Sequence, residues 1–126
     1  MTNAFRFIKP ESENAIQASF FQWTELQKGK HPELVLFHSI PNGSHKSPVS
    51  RMIYKATGLK SGVPDCFLPV ARGKHHGLYI EFKTKKGKTS EAQKWWHEKL
   101  TSQSFLVVTC HSVGEAIGAT LDYLNS

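Results

Sequence analysis

The sequence predicts a mixed α/β fold, a β-sheet with helices on its faces. Three observations carry this. Segments with apolar residues at helical spacing follow serine caps, short apolar runs bounded by turn formers lie between them, and a strand–helix–strand step from Ile80 to Val107 calls for a right-handed crossover between parallel strands. The expected element order is α-β-(loop)-β-β-α-β-α.

The first helix runs from Glu13 to Lys28 with Ser12 as N-cap. Ile16, Phe20 and Trp23 form its apolar face, with Phe21 and Leu26 beside it. After the break at "GKHP", "ELVLFHSI" (Glu33 to Ile40) has the character of a buried strand, and "PNGSHKSP" is a loop of turn formers. A short helix is expected around Ser50 to Thr57. "DCFLPV" and "LYIEFKT" are strands joined by the turn "ARGKHHG", which makes an antiparallel hairpin. Ser90 with Gln93 forms a capping box for a helix carrying Ala92, Trp96 and Leu100 inward. "SFLVVTC" is the kind of apolar strand that a parallel sheet buries. Ser112 with Glu115 caps a final helix bearing Val113, Ala116, Ile117, Leu121 and Leu124.

At 126 residues the chain has the size of one domain with its own core. Charged residues make up 21% and hydrophobic ones 39%, the balance of a globular chain. No apolar run approaches the ~20 residues that span a bilayer, and the N-terminus "MTNAFRFIKPESEN" lacks a signal-peptide hydrophobic segment. A soluble, cytoplasmic protein with no membrane partner is expected. Cys66 and Cys110 fall in strands and are expected to be small core residues in a reducing compartment, since Cys and His do not recur at zinc-site spacing.

The net charge of +6 is unevenly placed. Residues 1–40 carry four basic and four acidic side chains, and residues 91–126 carry two basic and four acidic. Residues 41–90 hold ten basic side chains against only Asp65 and Glu81, a local excess of ten minus two, or +8. Such concentration is an electrostatic footprint for polyphosphate.

Those two acids stand out chemically. Glutamate is poor strand material, yet Glu81 lies inside "LYIEFKT" and shares a strand face with Tyr79 and Lys83 by period-two alternation. Asp65 follows "GVP" at the start of the preceding strand. Hairpin pairing lets the two carboxylates face each other across the ladder, where opposing Cβ atoms are ~4.5–5.5 Å apart. Carboxylates that close repel unless a cation or proton neutralises them. A hard divalent ion such as Mg²⁺ suits them, being held by one or two carboxylates plus waters and substrate phosphate. Lys83 is then placed beside a scissile phosphate or an attacking water. The bland alternative is an exposed strand face with a surface ion pair worth ~0–1 kcal/mol.

"GVPD" at Gly62–Asp65 followed by "IEFK" at Ile80–Lys83 resembles the PD-(D/E)XK nuclease superfamily, and more closely its VRR-NUC family. The likeness includes "PNG" at Pro41–Gly43, "IEFKTKKGKTS", Gln93 on the following helix, and Glu13 with Gln17 on the first helix. It runs from about Glu13 to Leu124. It implies a restriction-endonuclease-like core and metal-dependent cleavage of DNA phosphodiesters, with Mg²⁺ as cofactor and Mn²⁺ able to replace it. By resemblance, Asp65 and Glu81 are metal ligands, the Phe82 carbonyl a backbone ligand and Lys83 the catalytic lysine. Glu13 reaches the metal directly or through water, and Gln93 stands at the site's edge. After "PNG" the family pattern would place a glycine and an arginine, where this chain has Ser44, His45 and Lys46.

For DNA contacts the candidates are Lys46, Arg51, Lys85, Lys86 and Lys88. Glu13 is equally accounted for by the helix dipole, and Gln93 by its capping box. Of the adjacent Trp95 and Trp96, about 100° apart on a helix, Trp96 belongs to the core and Trp95 is at most a partial base contact. The expected substrate is branched DNA, a four-way junction resolved by a homodimer, as in stand-alone phage-type members. That resemblance would place the protein in a host-cell cytoplasm. A catalytically silent DNA-binding module using the same basic face, or a nuclease acting on flaps or RNA, are the alternatives. No protein cofactor is evident.

Overall fold

The computed structural model describes residues 4–41 and 47–126. Helix α1 spans Glu13–Gln27, and Ser12 caps it by accepting a hydrogen bond from Ala15 N. Phe20 is fully buried and packs its ring 5.2–5.8 Å from Phe21, Trp23, Phe37 and Phe82. Leu26, expected beside that face, is 75% exposed, because the inward stripe passes through Phe20 and Thr24 instead.

The segment Glu33 to Ile40 corrects the expected strand. Pro32–Leu36 is a 3-10 turn and only His38–Ser39 is strand β1, at the sheet edge. Pro32 fixes its φ in the range that starts a helical turn. Leu34 and Phe37 then point inward while Val35 and Leu36 face solvent. The expected short helix is α2, Pro48–Ala56, capped by Ser47. Residues 42–46, including Asn42, Gly43 and Lys46, lie outside the described residues.

Strand β2 (Cys66–Leu68) pairs antiparallel with β3 (Leu78–Phe82), as the hairpin expectation requires, and with β1. The hairpin turn closes through a reciprocal pair of backbone hydrogen bonds between Arg72 and His75. Helix α3 (Glu91–Ser102) carries the complete Ser90–Gln93 capping box and leads to β4 (Leu106–Cys110), parallel to β3. Helix α4 (Val113–Leu124) is capped by Ser112, while Glu115 reaches back to His111 N. The sheet order is β1-β2-β3-β4. Leu68, Leu78, Ile80, Phe82, Cys66 and Cys110 form a core with residues of α1 and α4. Both cysteines are free and buried. Leu121 of α4 is only half-buried; Thr120 and Tyr123 take core positions beside it, their hydroxyls satisfied by the carbonyls of Ala116 and Val70. Among the described residues, no helix is long and apolar enough to cross a membrane.

Candidate active site

Asp65 stands one residue before β2. Its carbonyl accepts from Ile40 N at 2.7 Å, which ties the segment entering β2 to the end of β1. Since Cys66 pairs with Ile80, the next step of the same register sets Asp65 opposite Glu81, as expected. The Asp65 carboxylate is anchored: its Oδ2 accepts from Phe82 N at 2.6 Å.

The face bearing Glu81 is not the exposed strand face of the bland alternative. Glu81 is 1% and Lys83 8% exposed. Helix α3 lies along this side, and its inward stripe is Gln93, Trp96, His97 and Leu100, while Ala92 is exposed. Trp96 and Leu100 face inward as expected, and only Ala92 departs, while Gln93 and His97 bring polar ends to Glu81. Gln93 Nε2 donates to Glu81 Oε2 at 3.1 Å, while Gln93 Oε1 accepts from Ser90 N at 2.8 Å. One Gln93 side chain thus completes the capping box and contacts Glu81. His97 Nε2 lies 3.7 Å from Glu81 Oε1, and both atoms are buried with no hydrogen-bond partner among the described residues.

Burial, first, and then the neighbouring Asp65 charge and a hydrogen bond shared with Asp65 push the Glu81 carboxyl up, to about 9; Lys83 opposes the shift and Glu13 adds weakly to it. His97 is held below the usual imidazole value by burial and by the Lys83 ammonium. His97 was not among the residues expected at the site. Its signal was its position four residues after Gln93, which places both on one helix side.

Glu13 opens α1 as an exposed first-turn acid whose charge is felt at Glu81. Lys85, Lys86 and Lys88 are exposed in the turn after β3, and Arg51 is exposed on α2. Arg72, one of the ten central cations, is instead structural: it holds Glu33 at 2.6 Å and the Leu124 carbonyl at 3.2 Å.

Among the described residues no three His, Cys, Asp or Glu side chains gather at metal-binding geometry. The pair Asp65–Glu81 is nonetheless matched to an oxygen-preferring divalent ion. Its orphaned Oε1 lacks a donor, its two acids are mutually disfavoured when ionised, and such ions complete their shell with water and phosphate.

The family model for the VRR-NUC domain matches residues 6–114. A solved structure titled "VRR_NUC domain protein" is similar over 94% of this chain and 92% of its own, at 28% identity and a TM-score of 0.79. No curated protein matches. A mixed four-stranded sheet with a shielded acid pair and an adjacent lysine, matched over most of the chain, gives the assignment its structural content: the chain belongs to the VRR-NUC domain family, and its function is of the nuclease type.

Proposed function

We propose that this protein is a divalent-metal-dependent DNA endonuclease that cuts branched DNA, resolving four-way junctions as a homodimer. The observation that carries the hydrolytic reading is the Asp65–Glu81 pair, buried side by side with one oxygen unpartnered among the described residues and a lysine two residues on. A pure binding module would gain nothing from two acids facing phosphates. Asp65, Glu81, the Phe82 carbonyl and Glu13, the last directly or through water, would hold Mg²⁺, with Mn²⁺ as a substitute. When bound, the ion polarises phosphoryl oxygen and lowers the pKa of water.

The chain's own groups do the rest. Phe82 N fixes the Asp65 carboxylate and Gln93 fixes Glu81. Lys83 sets a positive charge beside the phosphate, where it stabilises the negative charge that develops as water attacks. Its burial keeps that charge poorly screened and therefore strong. Lys85, Lys86, Lys88 and Arg51 contact flanking phosphates, and Lys46 belongs with them by sequence position.

A protomer with one acid pair cuts one strand at a time, and closed two-fold pairing is the commonest way to hold two sites at fixed separation. The first helix is a poor candidate for the pairing surface, since Phe20 is buried and Phe21 and Trp23 pack on the core. Helix α2 supports pairing better: Val49, Met52 and Ile53 are 63%, 71% and 57% exposed along one side.

Labelled four-way junctions, flaps, duplexes, single strands and RNA, each with Mg²⁺, Ca²⁺ or EDTA, test this proposal. Paired symmetric nicks in junctions are expected with Mg²⁺, binding with little turnover with Ca²⁺, and none with EDTA. Light scattering should give twice the chain mass. Robust cutting in EDTA removes the metal mechanism; a monomer that cuts flaps as readily as junctions removes the junction assignment.

DNA affinity is expected to fall steeply with salt, with a log–log slope of about −0.9 per phosphate neutralised on duplex. Replacing Lys85, Lys86 and Lys88 together with alanine should flatten that slope by up to about 2.7, three times the single-phosphate value. An unchanged slope in filter-binding titrations would place the footprint elsewhere.

A further inference from the structure

A cleft of about 880 Å³ opens between α2 and α3. Three cations line it, Arg51, Lys55 and Lys60, with Trp95 and Trp96. Among the described residues none of the three cations pairs with a carboxylate. Trp96 is pinned, its Nε1 donating to Ser61 O at 3.1 Å, and Trp95 stands edge-on to it at 5.4 Å. Trp95 is itself 52% exposed, with the Lys99 ammonium 5.7 Å from its ring centre.

The orientation of α2 sharpens this picture. Its apolar residues Val49, Met52 and Ile53 are exposed, whereas Arg51 and Lys55, on the opposite side by helical spacing, line the cleft. A helix whose exposed cations line a cleft beside two indoles, with no carboxylate among the described residues to receive them, is arranged for an anionic ligand with flat apolar surfaces.

We infer that this cleft takes an unpaired stretch of single-stranded nucleic acid, a base stacking on Trp95 while Arg51, Lys55 and Lys60 hold its phosphates. Duplex offers the phosphates but hides the faces of its bases, so only unstacked nucleotides satisfy both the indole and the cations. Two lining residues tie the cleft to the catalytic centre: Ser61 precedes the Gly62–Asp65 segment, and Ala92 precedes Gln93. A strand lying here would leave the site at its branch point. The inference deepens the nuclease proposal and rests on it for the identity of the substrate.

The test measures binding in EDTA, without cleavage, using fluorescent oligodeoxythymidylate, oligouridylate and a duplex of equal length. Binding of either single strand with quenching of indole fluorescence is expected; failure of both overturns the proposal. Trp95→Ala should weaken single-strand affinity roughly 5- to 150-fold and leave duplex affinity within about twofold. Trp95→Phe, which keeps an aromatic face, should restore most of the loss. Arg51→Ala, on the facing wall, should weaken single-strand binding and flatten its salt slope by about 0.7. The cleft assignment falls if Trp95→Ala leaves single-strand affinity unchanged or lowers duplex affinity by the same factor. A protein that binds the single strand yet never cuts junctions with Mg²⁺ keeps the cleft and loses the nuclease proposal.

Discussion

Glu81→Gln is expected to abolish cleavage while raising thermal stability in metal-free buffer. The two effects share one cause. Glu81 is buried against Asp65, and Lys83 opposes only part of the cost of ionising it. An amide of the same shape removes that cost, with a gain on the order of 1–3 kcal/mol. It also removes a charge that a cation needs, so cleavage should fall by roughly 10³-fold, the scale of losing a strong electrostatic contact to the transition state.

The pH dependence has a definite sign. A carboxyl whose folded pKa is raised from 4.5 to about 9 contributes stability that is fully present below 4.5 and is lost as pH rises through about 9. The chelated wild-type protein should therefore lose stability across that window, and Glu81→Gln should flatten the loss. Lys83→Ala should also abolish cleavage but lower stability, since truncating this buried side chain leaves a cavity beside the two acids. Thermal unfolding in chelator at several pH values, with junction cleavage in Mg²⁺, checks both variants. Wild-type cleavage by either one sinks the catalytic assignment, and a destabilised Glu81→Gln sinks the electrostatic account.

Gly62→Ala should unfold the protein at a markedly lower temperature. Gly62 has φ +91, a conformation L residues rarely adopt, and a Cβ there would sit 2.8 Å from the Ala92 carbonyl carbon. The backbone strain alone costs on the order of 1–3 kcal/mol. Relief of the clash must move either α3, with Gln93 and His97, or the segment leading to Asp65. A combined loss of roughly 2–5 kcal/mol is expected, with weakened cleavage because the two acids lose their register against α3. Gly58 supplies the control, since its φ is +105 but no described residue would lie within 4 Å of a Cβ there. Gly58→Ala should show the strain without the clash, so equal losses in the two variants would mean that the α3 contact carries no energy.

Much of this arrangement was legible in the residues because it is set over short distances. The caps at Ser12, Ser90 and Ser112 need only three-residue spacing, and the Asp65–Glu81 register follows from a hairpin and period-two alternation. What escaped depends on packing between distant segments. The apolar content of "ELVLF" cannot distinguish a strand from a 3-10 turn; Pro32 and the inward pull on Leu34 and Phe37 decide it. Burial of Glu81 depends on α3 crossing its face, and only that crossing brings His97 to the carboxylate. That the cations of α2 line the cleft was equally hidden, because amphipathicity identifies two sides of a helix and leaves open which one borders a cleft.

Gln93 closes the capping box of α3 with one end of its amide and holds Glu81 with the other. That double contact narrows what this position can accept over evolutionary time. Glutamate would complete the box equally well, but it would set a third acid against a pair that already disfavours ionisation. Asparagine is too short by one methylene for the same reach, and apolar residues forfeit both bonds. Two unrelated demands, the start of a helix and the aim of a carboxylate, thus converge on a single amide. Drift at residue 93 is confined even though its neighbour Lys94 is exposed to solvent.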